Sequence, residues 1–142
     1  MVMMDLFSKW ILLAPIRKIE SKEVFRIVES LWLRLFGTPE VVITDNATTF
    51  VGKEFKGLLK CWNIQHWLNS RHHSQANPVE RVNRTINACL RTYMQEDQRL
   101  WDTRIAEVEE MLNTTIHSST GYTPYRILYG HEMVTKGDAS TR

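Results

Sequence analysis

The hydrophobic residues fall into short runs with different spacings. Residues 1–4 (MVMM) and 10–16 (WILLAPI) are apolar and strand-like, with Asp5-Leu6-Phe7-Ser8-Lys9 between them, so residues 1–14 read as a hairpin. Val24, Ile27, Val28, Leu31 and Leu35 then recur at i, i+3 and i+4, predicting a helix with one apolar face. Ser21 offers its N-cap, Glu23 lies in its first turn, and Gly37 followed by Pro39 ends it. Val41-Val42-Ile43 is an uninterrupted β-branched run, which suits a strand buried on both faces of a parallel sheet.

Residues 51–62 predict a second helix with Phe55, Leu58, Leu59 and Trp62 on one side, and 64–68 predict another strand. A polar loop, 69–78, ends at Pro78. One helix then runs from Val79 into the 90s and another from about Leu100 to Asn113. A Ser/Thr/Gly-rich loop over 113–124 leads to a short helix, Pro124–Tyr129, stopped by Gly130. The order is strand, strand, helix, strand, helix, strand, then helices, which predicts an α/β fold: a mixed sheet flanked by helices. The 142 residues suit one domain over 1–130 with a frayed tail over 131–142.

Composition narrows the class only slightly. The net charge of +2 is too small to indicate a nucleic-acid binder. Its distribution is more informative. From Gly52 to Arg91 seven basic residues face two acidic ones, a net +5, whereas Thr92 to Met111 carries six acidic and two basic, a net −4. Two cysteines, Cys61 and Cys89, do not build a disulfide scaffold and point to a reducing compartment. No apolar run approaches the roughly 20 residues of a membrane span, and the first residues, MVMMDLFSKW, do not read as a signal peptide. The expectation is a nuclear or cytoplasmic protein that is not secreted. The Asn-x-Thr triplets at Asn46, Asn83 and Asn113 then read as chance.

Two carboxylates are candidates for chemistry. Asp45 follows a buried-type strand at its carboxyl end, where α/β sheets place ligands, although Asp-Asn is also turn-prone. Glu80 lies in a first helical turn, where the helix dipole favours negative charge. Asn83, Arg84, Asn87 and Arg91 share its helical face. A carboxylate heading a stripe of Asn and Arg suits a magnesium-type ion with a phosphate backbone running past it. His66, His72 and His73 do not form a zinc site, since the cysteines make no CxxC pair. The five tryptophans read as core.

The strings DLFSKWILLAPI, FGTPEVVITDNATTF, HHSQANPVERVNRTI, a lone Trp101 and LNTTIHSSTGYTPYRILYG occur in this order from Met4 to Gly130. Together they resemble the catalytic core of retroviral and retrotransposon integrases, especially those of gypsy-type elements. The resemblance implies a ribonuclease-H-like mixed sheet flanked by helices. It also implies phosphodiester strand transfer by an Asp, Asp, Glu triad holding two Mg2+ or Mn2+ ions, with DNA as partner, possible homo-oligomers and no membrane. The second Asp of the pattern falls on Asp45 and its Glu on Glu80. Asn83 and Arg84 fall on the helix that lies along viral DNA.

Three departures follow from the same comparison. The family's first catalytic Asp, carried on its first strand, is absent, so inactivity of this chain on its own and an unpaired apolar strand edge are expected. Ala47 replaces the usual Gly, a cost of about 1 kcal/mol if the backbone there needs positive φ. The loop before Glu80 is one residue shorter. Asp5 is expected to be structural. The alternatives are an active nuclease in which Asp5 completes the triad, or a host-recruited module that only binds.

Overall fold

The computed structural model describes residues 1–69, 78–94 and 102–134. In chain order the elements are β1 (Val2–Met4), β2 (Ile11–Leu13), α1 (Ser21–Ile27), a π-helical segment (Val28–Leu33), α2 (Arg34–Phe36), β3 (Val41–Thr44), α3 (Thr48–Val51), α4 (Lys53–Cys61), β4 (Gln65–Leu68), α5 (Pro78–Met94), α6 (Ile105–Thr114) and α7 (Pro124–Tyr129). They divide into two compact units, one of Met1–Leu13 with Asn83–Arg142 and one of Ala14–Val82. The expected loop over 69–78 lies outside the described residues from 70 to 77. So do the start of the expected helix at Leu100, Trp101, and the tail from 135 to 142.

The first unit is built on the predicted hairpin. β1 and β2 pair antiparallel with Met3 opposite Leu12. The turn is closed by its own residues. The Asp5 amide donates to Trp10 O and the Lys9 amide to Asp5 O, both at 2.9 Å. Asp5 Oδ2 accepts from the Ser8 amide at 2.7 Å and from Ser8 Oγ at 2.6 Å. Lys9 takes a left-handed φ of 64° to close it.

Alternate residues of a strand turn their amides to opposite edges, so Ile11 and Leu13 face away from β1. There α6 supplies side chains where a further strand would stand. Asn113 Oδ1 accepts from the Ile11 amide and Asn113 Nδ2 donates to Ile11 O, each at 2.8 Å. Glu109 Oε2, one helical turn earlier, accepts from the Leu13 amide at 2.7 Å. Burial raises the Glu109 carboxyl above its ordinary 4.5, and the Leu13 amide opposes that shift. α7 starts with Thr123, whose Oγ1 accepts from the Arg126 amide at 3.0 Å, and ends on left-handed Gly130. Its Tyr125 and Tyr129 pack on Trp10, with ring centroids 6.1 and 5.7 Å away.

In the second unit β3 and β4 pair parallel, with Val42 opposite His66 and Ile43 opposite Trp67. α4 covers the His66 face through Phe55 and Leu59, which are 2% and 1% exposed. The Phe55 ring meets the His66 ring edge-on at 5.7 Å. Residues alternate in facing, so Ile43 and Trp67 lie on the other side, 45% and 56% exposed. The expectation of a β3 buried on both faces is therefore corrected. Among the described residues β3 has one strand neighbour, and its Ile43 face is open to solvent. The β-branched run marks a strand but not the number of its neighbours.

Two further expectations change in the first helix. Ser21 begins α1 rather than capping it, because its Oγ donates to Thr49 O at 3.0 Å. The wider π turns of Val28–Leu33 rotate the apolar stripe. Leu33 is buried at 7% in consequence, while the predicted face residue Leu35 is 66% exposed. Trp32 and Phe36 then stack with centroids 5.1 Å apart. Gly37 stops the run with φ 77°, as the sequence predicts.

Replacing Asn113 by Ala leaves two buried backbone groups of Ile11 without partners and should cost at least about 2 kcal/mol, read from urea unfolding. Burial, aided by nearby Lys56, holds the His66 imidazolium below its ordinary 6.5. The unfolded chain thus takes up that proton first. The stability present above pH 6.5 is lost as the pH falls through the folded-state value. The urea midpoint should fall between pH 7.5 and 5.5, and by less in His66→Gln.

Candidate functional site

Asp45 immediately follows β3, at its carboxyl end, and is exposed. Backbone pairing carries the two strands to the same level there. The Asn69 amide donates to Thr44 O at 2.8 Å, and Asn46 Nδ2 donates to Asn69 O at 2.7 Å. These bonds tie the segment after β3 to the end of β4. Asp45 therefore leaves a fixed strand end rather than a free loop.

The Asp45 carboxylate performs the turn role open to Asp-Asn. Its Oδ1 accepts from the Ala47 amide at 3.0 Å. One accepted bond leaves most of a carboxylate's lone pairs available. Ala47 itself sits at φ −59° and ψ 142°. The left-handed backbone that would have penalised Ala is not present, so that expected cost does not arise.

Thr44 links Asp45 to a residue that sequence reasoning treated only as a zinc candidate. Thr44 Oγ1 donates to Asp45 O at 3.0 Å and meets His66 Nε2 at 2.8 Å. The hydroxyl has one proton, so when it points to Asp45 O the imidazole must donate through Nε2–H. Its Nδ1 is then a buried acceptor with no partner among the described residues. A proton there would meet no acceptor, which agrees with the lowered His66 value. No local pattern reveals this contact. It joins residues 22 apart through strand register.

Glu80 lies in the first turn of α5, and its side chain falls outside the described residues. Asn83, Arg84, Asn87 and Arg91 are all exposed on α5. At about 100° per residue they span an arc of about 100°. Val82, on the opposite side of α5, and Ile86, between the two sides, are buried. The predicted stripe is thus a solvent-facing surface. His72 and His73 lie outside the described residues. Among the described residues no group of three or more His, Cys, Asp or Glu converges as a metal cage. Asp45 has the hard oxygen chemistry of a magnesium ligand. No helix of the described residues is long and apolar enough to cross a membrane.

Asp5 presents a different picture. Its Oδ2 is engaged twice within its own turn, by the Ser8 amide and hydroxyl. It is a residue of the hairpin's closure.

The chain is similar to several known proteins. The family model described as "Integrase core domain" matches residues 1–74. The human "Gypsy retrotransposon integrase-like protein 1" is 28% identical over 124 residues, covering 87% of this chain and 24% of that protein. "Transposon Tf2-3 polyprotein" of Schizosaccharomyces pombe is 28% identical over 130 residues, 90% of this chain and 10% of its own length. The chain thus spans between a tenth and a quarter of these relatives. Among solved structures, the HTLV-2 integrase catalytic core domain in complex with magnesium, in its trimeric form, superposes with a TM-score of 0.69 at 25% identity. It covers 89% of this chain and 81% of that one. An intasome of simian T-cell lymphotropic virus in complex with the PP2A regulatory subunit B56 gamma gives a TM-score of 0.78 at 18% identity. That match covers 94% of this chain and 49% of that one, and it supports the fold alone. The fold is ribonuclease-H-like, and the chain belongs to the integrase core domain family.

Proposed function

We propose that this chain serves DNA integration as part of a retrotransposon-type integrase core. In this reading Asp45 and Glu80 are metal-binding carboxylates, and Asn83, Arg84, Asn87 and Arg91 contact a DNA backbone. The observation that carries the reading is the integrase core match over residues 1–74, whose sequence contains Asp45 exposed at the end of β3. The exposed stripe on α5 supports the DNA contact, because Arg and Asn side chains commonly hold phosphate oxygens.

A divalent ion, Mg2+ or Mn2+, bound by the carboxylates would activate an attacking hydroxyl and stabilise the leaving oxygen of a phosphodiester. The chain's own part is to fix the ligand. The Asn46–Asn69 bond and the Thr44–His66 contact hold the segment around Asp45. The Ala47 amide orients its carboxylate. Asn83, Arg84, Asn87 and Arg91 would align the DNA strand. Asp5 is not assigned a place among the ligands, in keeping with its two bonds to Ser8. With two carboxylates assigned where the family pattern uses three, this stretch alone is proposed to bind DNA without efficient strand transfer.

The test is a strand-transfer assay in Mg2+ and Mn2+, with DNA binding followed over a salt series. Binding should weaken steeply with salt, by about 0.9 log units of slope for each phosphate contact. It should lose about two units of that slope in Arg84→Gln/Arg91→Gln. Turnover by the chain as given should stay near background. A flat salt profile would remove the DNA reading. Robust turnover that Asp45→Asn abolishes would keep the metal reading and overturn the proposed inactivity.

A further inference from the structure

Three of the described glycines have a backbone reason for their identity. Gly37, Gly121 and Gly130 have positive φ. Gly52 precedes α4 with an ordinary extended backbone, where a Cβ would make only an ordinary 3.4 Å contact with Thr48 O. Gly57 has no positive φ either, and it lies inside a helix, where glycine is costly. It stands in the middle of α4, and a Cβ built on it would meet nothing within 4 Å. Glycine is a poor helix former, and Ala would fit here with no clash. Nothing within the fold calls for glycine at this position.

The neighbours of Gly57 on the helix surface indicate what it is for. At about 100° per residue, Lys53, Lys56, Gly57 and Lys60 fall within an arc of about 100°. All four are exposed; Lys53, Gly57 and Lys60 lie away from buried Phe55 and Leu59, while Lys56 stands at the edge, about 60° from Leu59. The three lysines form no ion pair among the described residues. The one acidic residue of α4, Glu54, is 3.5 Å from Lys22. α4 therefore presents three ammonium groups along one side of the bare backbone at Gly57, with Lys22-paired Glu54 and Cys61 on the other side.

We infer that the outer face of α4 is a second DNA-binding surface, in which one phosphodiester strand crosses over Gly57 while Lys53, Lys56 and Lys60 neutralise its phosphates. The dimensions agree. Lys53 and Lys60 are about 10 Å apart along the helix axis, and over that length one strand of duplex DNA presents about three phosphates. A bare Cα lets the strand lie closer to the helix than any side chain would allow. This rests on the reading that DNA is the chain's partner. It adds a surface in the same compact unit as Asp45, separate from the stripe on α5.

The experiment measures duplex DNA affinity over a salt series, together with thermal melting, for the chain and three variants. Lys53→Gln/Lys56→Gln/Lys60→Gln should lower the slope of log affinity against log salt by about 2–3 units. Gly57→Ala should melt at a higher temperature, because the helix gains a better former, and yet bind DNA about three- to tenfold more weakly. Arg84→Gln/Arg91→Gln serves as the control for the α5 stripe. A lysine variant with an unchanged slope, or Gly57→Ala binding as the parent does, overturns the α4 surface even if the α5 variant weakens binding. A parent chain that does not bind DNA overturns this inference and the proposed function together. Binding to phosphatidylserine vesicles that only the lysine variant loses, with the DNA slope unchanged, assigns the face to a membrane surface and also overturns it.

Discussion

A strand leaves half of its amides and carbonyls facing away from any one neighbour, and a buried peptide group without a partner is costly. That constraint governs this chain, because among the described residues its sheets have two strands each. β2 answers it with side chains. Asn113 offers an acceptor and a donor in the spacing of a peptide group, and Glu109 supplies a further acceptor. The hairpin turn answers it with the Asp5 carboxylate. β3 answers it on one side only, through β4. The position of the hairpin, of α6 and of the segment around Asp45 follows from how these groups are satisfied.

The same economy governs the candidate site. The residues around Asp45 are fixed by hydrogen bonds that also terminate β3 and β4, so site and strand end are one construction. His66 takes part in both. Its ring lies against Phe55 within the packing of α4, and its Nε2 reaches the Thr44 hydroxyl next to Asp45. A side chain placed this way couples helix packing to the orientation of a peptide carbonyl at the site.

Local signals were legible in the sequence wherever the cause lies within a few residues. The Gly37 and Gly130 stops, the Pro124 start and the apolar face of α4 all rest on contacts within a turn or two, and each is found in the structure. Ser21, Leu35 and β3 depart from the pattern, each for its own reason. Ser21 prefers Thr49 O to its own helix end. Leu35 is displaced by a π segment that no periodicity announces. β3 looked doubly covered because a β-branched run records strand preference but not neighbours. Asp45 and the α5 stripe were legible as types and spacings. The Thr44–His66 contact was not, since register between strands is not written in either strand alone.

The Asn113 clamp also affects the timing of folding. The amide and carbonyl of Ile11 wait for a side chain 102 residues further along the chain. At a synthesis rate of about 5–20 residues per second, that interval lasts about 5–20 s. During it the outer edge of β2 is an open template for any passing strand. The hairpin is among the first described elements to leave the ribosome and among the last to be completed. Crowded polysomes, where several copies of that edge are exposed at once, are where this chain would be most prone to pair with itself.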